Sequence, residues 1–124
     1  MEWFEAAILL ADVLIVPAIM LIFGWTFLKN PPKDINGFYG YRTTMSIKNQ
    51  DTWEFAHRVC GRVWWRVGWV LSALSVVLLC AVQLDWPLGI LVLVAEGTVL
   101  ILTIIPVERA LKKTFDQNGV RRQE

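Results

Sequence analysis

Asp12 and Glu96 are the residues best placed to do chemistry, because each is a carboxylic acid set inside a long apolar run. An acid exposed to lipid at bilayer depth costs a few kcal/mol or more, so such groups face a bundle interior or a cavity. Glu96 stands near the middle of its run and Asp12 towards the outer end of its own. Ser72 and Ser75, mid-run in another apolar segment, offer hydroxyl partners to Glu96. Two uses compete. In one, each acid stays protonated and hydrogen-bonds a neighbouring helix. In the other, the pair binds a cation or relays protons.

A second set of reactive types lies between the first two apolar runs. Arg42 is a planar cation able to grip a phosphate or carboxylate with two parallel hydrogen bonds. It suits either a bound anion or a clamp on Glu108 or Asp116 in the C-terminal segment. His57 is the single histidine, one helical turn after Trp53, where packing or a headgroup contact is the commoner role. One histidine and two distant cysteines do not supply the ligand spacing of a zinc site. Cys60 and Cys80 are 20 positions apart; if one helix carries both they stand about 30 Å from each other, and they read as reduced packing residues. Nucleophile elbow, phosphate loop and dinucleotide fingerprint are all missing from the sequence. No metal, cofactor or catalytic residue is expected.

The elements that must position these groups are three apolar segments, at about 6–28, 67–84 and 86–107. Each has the length needed to cross a hydrocarbon core of about 30 Å. A backbone in lipid must satisfy its own hydrogen bonds, so all three are predicted to be helices. The chain has 124 residues, 56% of them hydrophobic, against about 45–50% apolar in a soluble domain. Too little polar sequence remains to cover three such helices in water. The first segment reads as a span and not a cleaved leader, since Glu2 and Glu5 stand where a leader is basic.

All 12 basic residues fall in residues 29–66 or after residue 107. The positive-inside rule makes that side cytoplasmic, with the N-terminus outside and the C-terminus inside. Trp3, Trp25, Trp64, Trp65, Trp69 and Trp86 fall near span ends, where indoles anchor at the headgroup level. Basic residues placed beside spans, and not in one stripe, argue against nucleic-acid binding. Within the 29–66 segment, Asn30-Pro31-Pro32 ends the first helix. Asn36-Gly37-Phe38-Tyr39-Gly40 suggests tight turns. From about Ser46, with Thr44, Ser46 and Asn49 as candidate caps, apolar residues at three- and four-residue steps (Trp53, Ala56, Cys60, Val63, Trp64) predict an amphipathic helix. It is expected to lie at the membrane surface or to run on into the second span. Gly68, Ser72 and Ser75 share one face of the second span and permit close helix approach.

The series Asn36, Gly40-Tyr41-Arg42-Thr43, Ser46, Asn49, Trp53 and Ala56 resembles the signature loop of the SdpI family of small bacterial membrane proteins. The tail from Glu108-Arg109 to Phe115-Asp116 and Gly119 is also similar to that family's end. The family is named for an immunity protein that protects a bacterium from its own secreted killing peptide and holds a transcriptional repressor at the membrane. The resemblance implies a multi-pass protein of the bacterial plasma membrane, non-enzymatic, acting in protection or signalling. Its partners would be the lipid bilayer, a peptide toxin or a cytoplasmic regulator. The expected fold is a single all-α domain over 1–124: three transmembrane helices, an amphipathic helix in the 29–66 loop, and a cytoplasmic tail over 108–124. Three helices give a thin interior for two acids, which makes a homodimer attractive. The alternative function is a small dimeric proton- or cation-coupled transporter or channel using Asp12 and Glu96. An enzyme acting on lipid headgroups at the Tyr41-Arg42/His57 surface is the remaining option.

Overall fold

The computed structural model describes residues 2–81 and 85–123. They form four helices: α1 (Trp3–Lys29), α2 (Gln50–Ala81), α3 (Trp86–Leu102) and α4 (Ile104–Thr114). Among the described residues the only β-type pairing is an isolated bridge between Phe115 and Arg121. Three helical stretches are long and apolar enough to cross a membrane: α1, α2, and α3 with α4 taken together. Ile8, Ile15, Ile22, Leu74, Val77, Leu91 and Val94 all point outward from these helices. Side chains of that kind, set in rows along three helices, match a hydrocarbon solvent.

α1 continues through Pro17 and stops at Asn30-Pro31-Pro32, where two successive prolines offer no amide to propagate it. α2 has 32 residues and is therefore about 48 Å long, well beyond the thickness of a hydrocarbon core. Its stretch up to Arg66 carries Asp51, Glu54, Arg58, Arg62 and Arg66, and the remainder is free of charge. Charges disfavour hydrocarbon, so the apolar stretch able to cross a membrane lies toward the C-terminal end of this helix. The amphipathic stretch expected from Ser46 is thus not a separate surface helix. It is the first half of α2, continuous with the span. Its start also moves, from Ser46 to Gln50. Thr43 and Ser46 bond each other's backbone amides through their hydroxyls, at 2.8 and 3.2 Å. Such local side-chain bonding competes with helix formation. The expected end of the second span at Leu84, and the Gln83-Leu84 turn, lie outside the described residues.

α1 and α2 meet at backbone distance. A Cβ added to Gly24 would stand 2.9 Å from the Trp65 amide nitrogen, and one added to Gly61 would stand 3.0 Å from the Gly24 carbonyl oxygen. Small residues at the crossing are what permit this. Gly68 receives Leu21 of α1 in the same way. α3 leans on α1 more than on α2, its neighbour in sequence. Leu9 and Val13 form a buried cluster packed by Leu78 and Leu79 of α2 and by Leu88 and Val92 of α3. α3 gives way to α4 at Thr103, whose hydroxyl accepts from Trp64 Nε1 at 3.0 Å. α4 then packs on the charged half of α2, and the second cluster forms there from Phe27, Tyr41, Ala56, Cys60, Val107, Leu111 and Phe115.

Candidate functional site

The polar end of the bundle is a folded module made by the 30–49 loop, the first half of α2 and the chain from α4 onward. Asn36 turns the loop: its Oδ1 accepts from the amides of Phe38 and Tyr39 at 2.9 and 2.7 Å. Gly40 has φ +120°, and a Cβ there would stand 2.6 Å from His57 Nε2, so only glycine fits. The Tyr41 amide donates to His57 Nε2 at 2.9 Å, and His57 Nδ1 donates to the Trp53 carbonyl at 2.7 Å. Both ring nitrogens are therefore committed, and the first must be an unprotonated acceptor. Trp53 Nε1 donates to the Pro32 carbonyl at 2.8 Å, tying α2 to the end of α1. Ser46 Oγ donates to the Tyr41 carbonyl at 3.0 Å.

Asn49 is the N-cap of α2. Its Oδ1 accepts from the Thr52 amide at 2.9 Å, and Thr52 Oγ1 accepts from the Asn49 amide at 3.1 Å. That is a reciprocal cap. Asn49 Nδ2 reaches across to the Gly119 carbonyl at 2.7 Å, fastening the tail. Gly119 has φ +79°, and a Cβ there would strike Asn49 Nδ2 at 2.7 Å. Ala56 is fully buried in the cluster beneath.

Tyr41, and not Arg42, makes the bond to Glu108. The Tyr41 hydroxyl donates to Glu108 Oε1 at 2.6 Å, whereas Arg42 points outward. The two are adjacent and only one faces the core; the apolar ring of tyrosine is stabilised there and a guanidinium is not. Burial, and then the Glu108 carboxylate, push the Tyr41 phenol above its ordinary value, keeping it a donor. Among the described residues the one ion pair is Arg121 with Asp51, a two-pronged contact at 2.8 Å for each bond. The Arg121 hydrogen bonds hold the Asp51 carboxyl below its usual range. Arg121 also lies over the rings of Phe115 and Phe55, 5.1 and 6.0 Å from their centroids. Neither the Asn49–Gly119 bond nor this pair is readable from sequence; the Asn49-x-x-Thr52 spacing was the available signal for the cap.

Within the bilayer portion, Ser75 Oγ donates to Glu96 Oε2 at 3.0 Å. Ser72 does not join them: its hydroxyl bonds the Gly68 carbonyl of its own helix at 2.8 Å. Its short side chain finds that acceptor one turn back, as mid-helix serines commonly do. Glu96 is only 3% exposed. Its Oε1, like Asp12 Oδ2, is buried without a hydrogen-bond partner. Gly89 leaves the room beside Asp12, where a Cβ would be 3.3 Å from Oδ2. Ser75 and Glu96 sit at the wall of a 210 Å³ cleft between α2 and α3, otherwise lined by Leu71, Leu74, Leu78, Val92, Ala95 and Val99.

Three apolar spans joined to a tightly bonded polar module define a multi-pass helical membrane protein. The model of the SdpI/YfhL protein family matches residues 33–107, more than half of the chain. Uncharacterized protein YfhL of Bacillus subtilis (strain 168) is 32% identical over 104 residues, covering 83% of this chain and 89% of that relative. No solved structure matches. The chain belongs to the SdpI/YfhL family. The family match runs through the loop, α2 and α3 and stops one residue before Glu108, so the tail residues that the loop grips lie beyond it.

Proposed function

We propose that this protein is a non-enzymatic membrane protein of the bacterial plasma membrane that acts in protection against an antimicrobial peptide or in membrane signalling. In this reading its N-terminus is outside and its basic module is cytoplasmic. The observation that carries the proposal is how the motif residues are used. Asn36, Gly40, Tyr41, Thr43, Ser46, Asn49, Trp53 and Ala56 bond or pack within the module. They build a rigid platform, while all 12 Lys and Arg side chains stand exposed on its surface. A rigid, basic, outward-facing platform suits recognition of an acidic partner or anionic headgroups more than group-transfer chemistry. Arg42, the motif residue left free of the core, is the one assigned to that recognition.

The test is survival of a peptide-sensitive bacterial host expressing the protein, challenged with membrane-active peptides. Protection by the wild type that falls on Arg42→Ala, at unchanged protein level, is expected. Protection that is absent throughout, or indifferent to Arg42→Ala, overturns this role for the module.

A second reading, proton- or cation-coupled transport by a dimer, is favoured by the two partnerless carboxylate oxygens of Asp12 and Glu96. Flux into dye-loaded liposomes under imposed proton and cation gradients, abolished in Glu96→Gln, is its signature. No flux under any gradient removes it.

A further inference from the structure

We propose that the outward face of α2 binds an anionic phospholipid, with its phosphodiester held by Arg62 and Arg66 and an acyl chain laid along the apolar stretch that follows them. Arg58, Arg62 and Arg66 recur at four-residue steps, so they stand in a row with about 6 Å of rise between neighbours. All three are exposed. The row looks away from the bundle, since Cys60 is fully buried and Gly61 and Gly68 are turned toward α1. Among the described residues none of the three is in an ion pair, the one such pair being Arg121 with Asp51.

The same face changes character where the charges end. Continuing past Arg66 at steps of three and four leads to Trp69, Ala73, Val76 and Cys80, each of them exposed. Such a track suits a hydrocarbon chain. Trp65 meets Trp69 edge-on, with ring centroids 5.6 Å apart, and indoles favour the headgroup level. The step from Arg66 to Trp69 is therefore where the face passes from headgroup to chain. A guanidinium grips a phosphate through two parallel hydrogen bonds, and two guanidinia one turn apart converge on one phosphodiester. The sign of the headgroup is set by the acids. No Asp or Glu follows Glu54 on α2, so a choline or ethanolamine ammonium has no carboxylate to meet on this face, while a headgroup of net negative charge is matched. A second copy of the chain is disfavoured as the occupant, because a two-fold contact would set one arginine row against the other.

This site uses α2 and not Arg42, and it requires neither protection nor transport, so it stands or falls apart from both functional readings. The experiment is native mass spectrometry of the protein in detergent, titrated with dioleoyl phosphatidylglycerol. Dioleoyl phosphatidylcholine is the zwitterionic control, and glycerophosphoglycerol supplies the headgroup without chains. The first phosphatidylglycerol is expected to bind at least about fivefold more tightly than the first phosphatidylcholine, the contribution of one basic residue at a membrane surface. Glycerophosphoglycerol is expected not to bind. Arg62→Gln combined with Arg66→Gln is expected to remove the preference. Lys33→Gln combined with Lys48→Gln takes the same charge from the loop and is expected to leave it intact. Equal binding of the two lipids overturns the proposal. So does a preference that survives the arginine substitutions, or one that the lysine substitutions abolish equally. Glycerophosphoglycerol binding as tightly as the lipid removes the chain track, and with it the lipid as occupant. If the double arginine variant fails to assemble, Arg62→Gln and Arg66→Gln made singly decide, and a full preference in both overturns the proposal.

Discussion

The Tyr41 side chain reaches from the loop to the last helix, where its hydroxyl stands 2.6 Å from Glu108 Oε1. Its ring belongs to the cluster of Phe27, Cys60, Val107 and Phe115, so packing and hydrogen bonding hold the same residue. Tyr41→Phe keeps the packing and removes only the bond. A hydrogen bond to a charged group is worth about 1.5–3 kcal/mol, and the partial exposure of Glu108 favours the lower end. The variant is expected to loosen the tail, seen as faster trypsin cleavage after Arg109 and Lys112 in membranes, with the spans intact. Cleavage at the wild-type rate would mean that Asn49–Gly119 and Asp51–Arg121 hold the tail unaided. Arg42→Ala is expected to leave cleavage unchanged, since its side chain faces outward. The pair of substitutions separates the residue that builds the module from the residue that the module displays.

Helix pairing depends on a different set. The α1–α2 crossing leaves no volume for a side chain at Gly24, because the groups in the way are backbone atoms that cannot rotate aside, while Gly61 faces the Gly24 carbonyl and the Leu28 side chain. Gly24→Val is expected to destabilise the fold by about 1–3 kcal/mol, the usual penalty of overpacking. Gly97 serves as the control, as a Cβ there meets nothing within 4 Å. Thermal unfolding in detergent reads both, and an unshifted midpoint for Gly24→Val would sink the close-crossing argument. Such elements were legible in sequence to different degrees. The three apolar runs and the Asn30-Pro31-Pro32 stop fix three membrane-length helices, because hydrocarbon thickness and missing amides leave little choice. The start of α2 is legible only as a choice among Thr44, Ser46 and Asn49 as caps; Asn49 takes the role, because Thr43 and Ser46 bond each other in a turn before it. The glycine read as a helix contact in sequence, Gly68, is one of three, and its partner Leu21 has no sequence signal at all. The acids at 12 and 96 were visible as anomalies in apolar runs. Which serine would serve Glu96 was not, because Ser72 and Ser75 differ only by the rotation of α2.

At the scale of the molecule, charge and apolar surface are segregated from end to end. Every Lys and Arg lies at the end of α1, in the loop, in α2 up to Arg66, or in the chain from α4 onward. The topology proposed from this asymmetry is checked with single cysteines at Glu2 and Gln123, after replacing Cys60 and Cys80. A membrane-impermeant maleimide added to intact cells is expected to label position 2 and not position 123. The opposite pattern would place the basic platform outside.

The bonds Tyr41–Glu108 and Asn49–Gly119 join residues 67 and 70 positions apart. A ribosome delivers the loop long before the tail, so the loop emerges with its key acceptors not yet made. Until the third span has entered the bilayer and α4 has come back beside α2, Tyr41 and Asn49 must be satisfied by water, and the basic face remains unshaped. Completion of the stretch from Glu108 to Gly119 thus acts as a certificate of correct insertion. A chain that threads its third span the wrong way, or is cut short before Gly119, carries the whole family-matched segment yet cannot close the platform. Closure of the module is in this way made conditional on insertion of the third span.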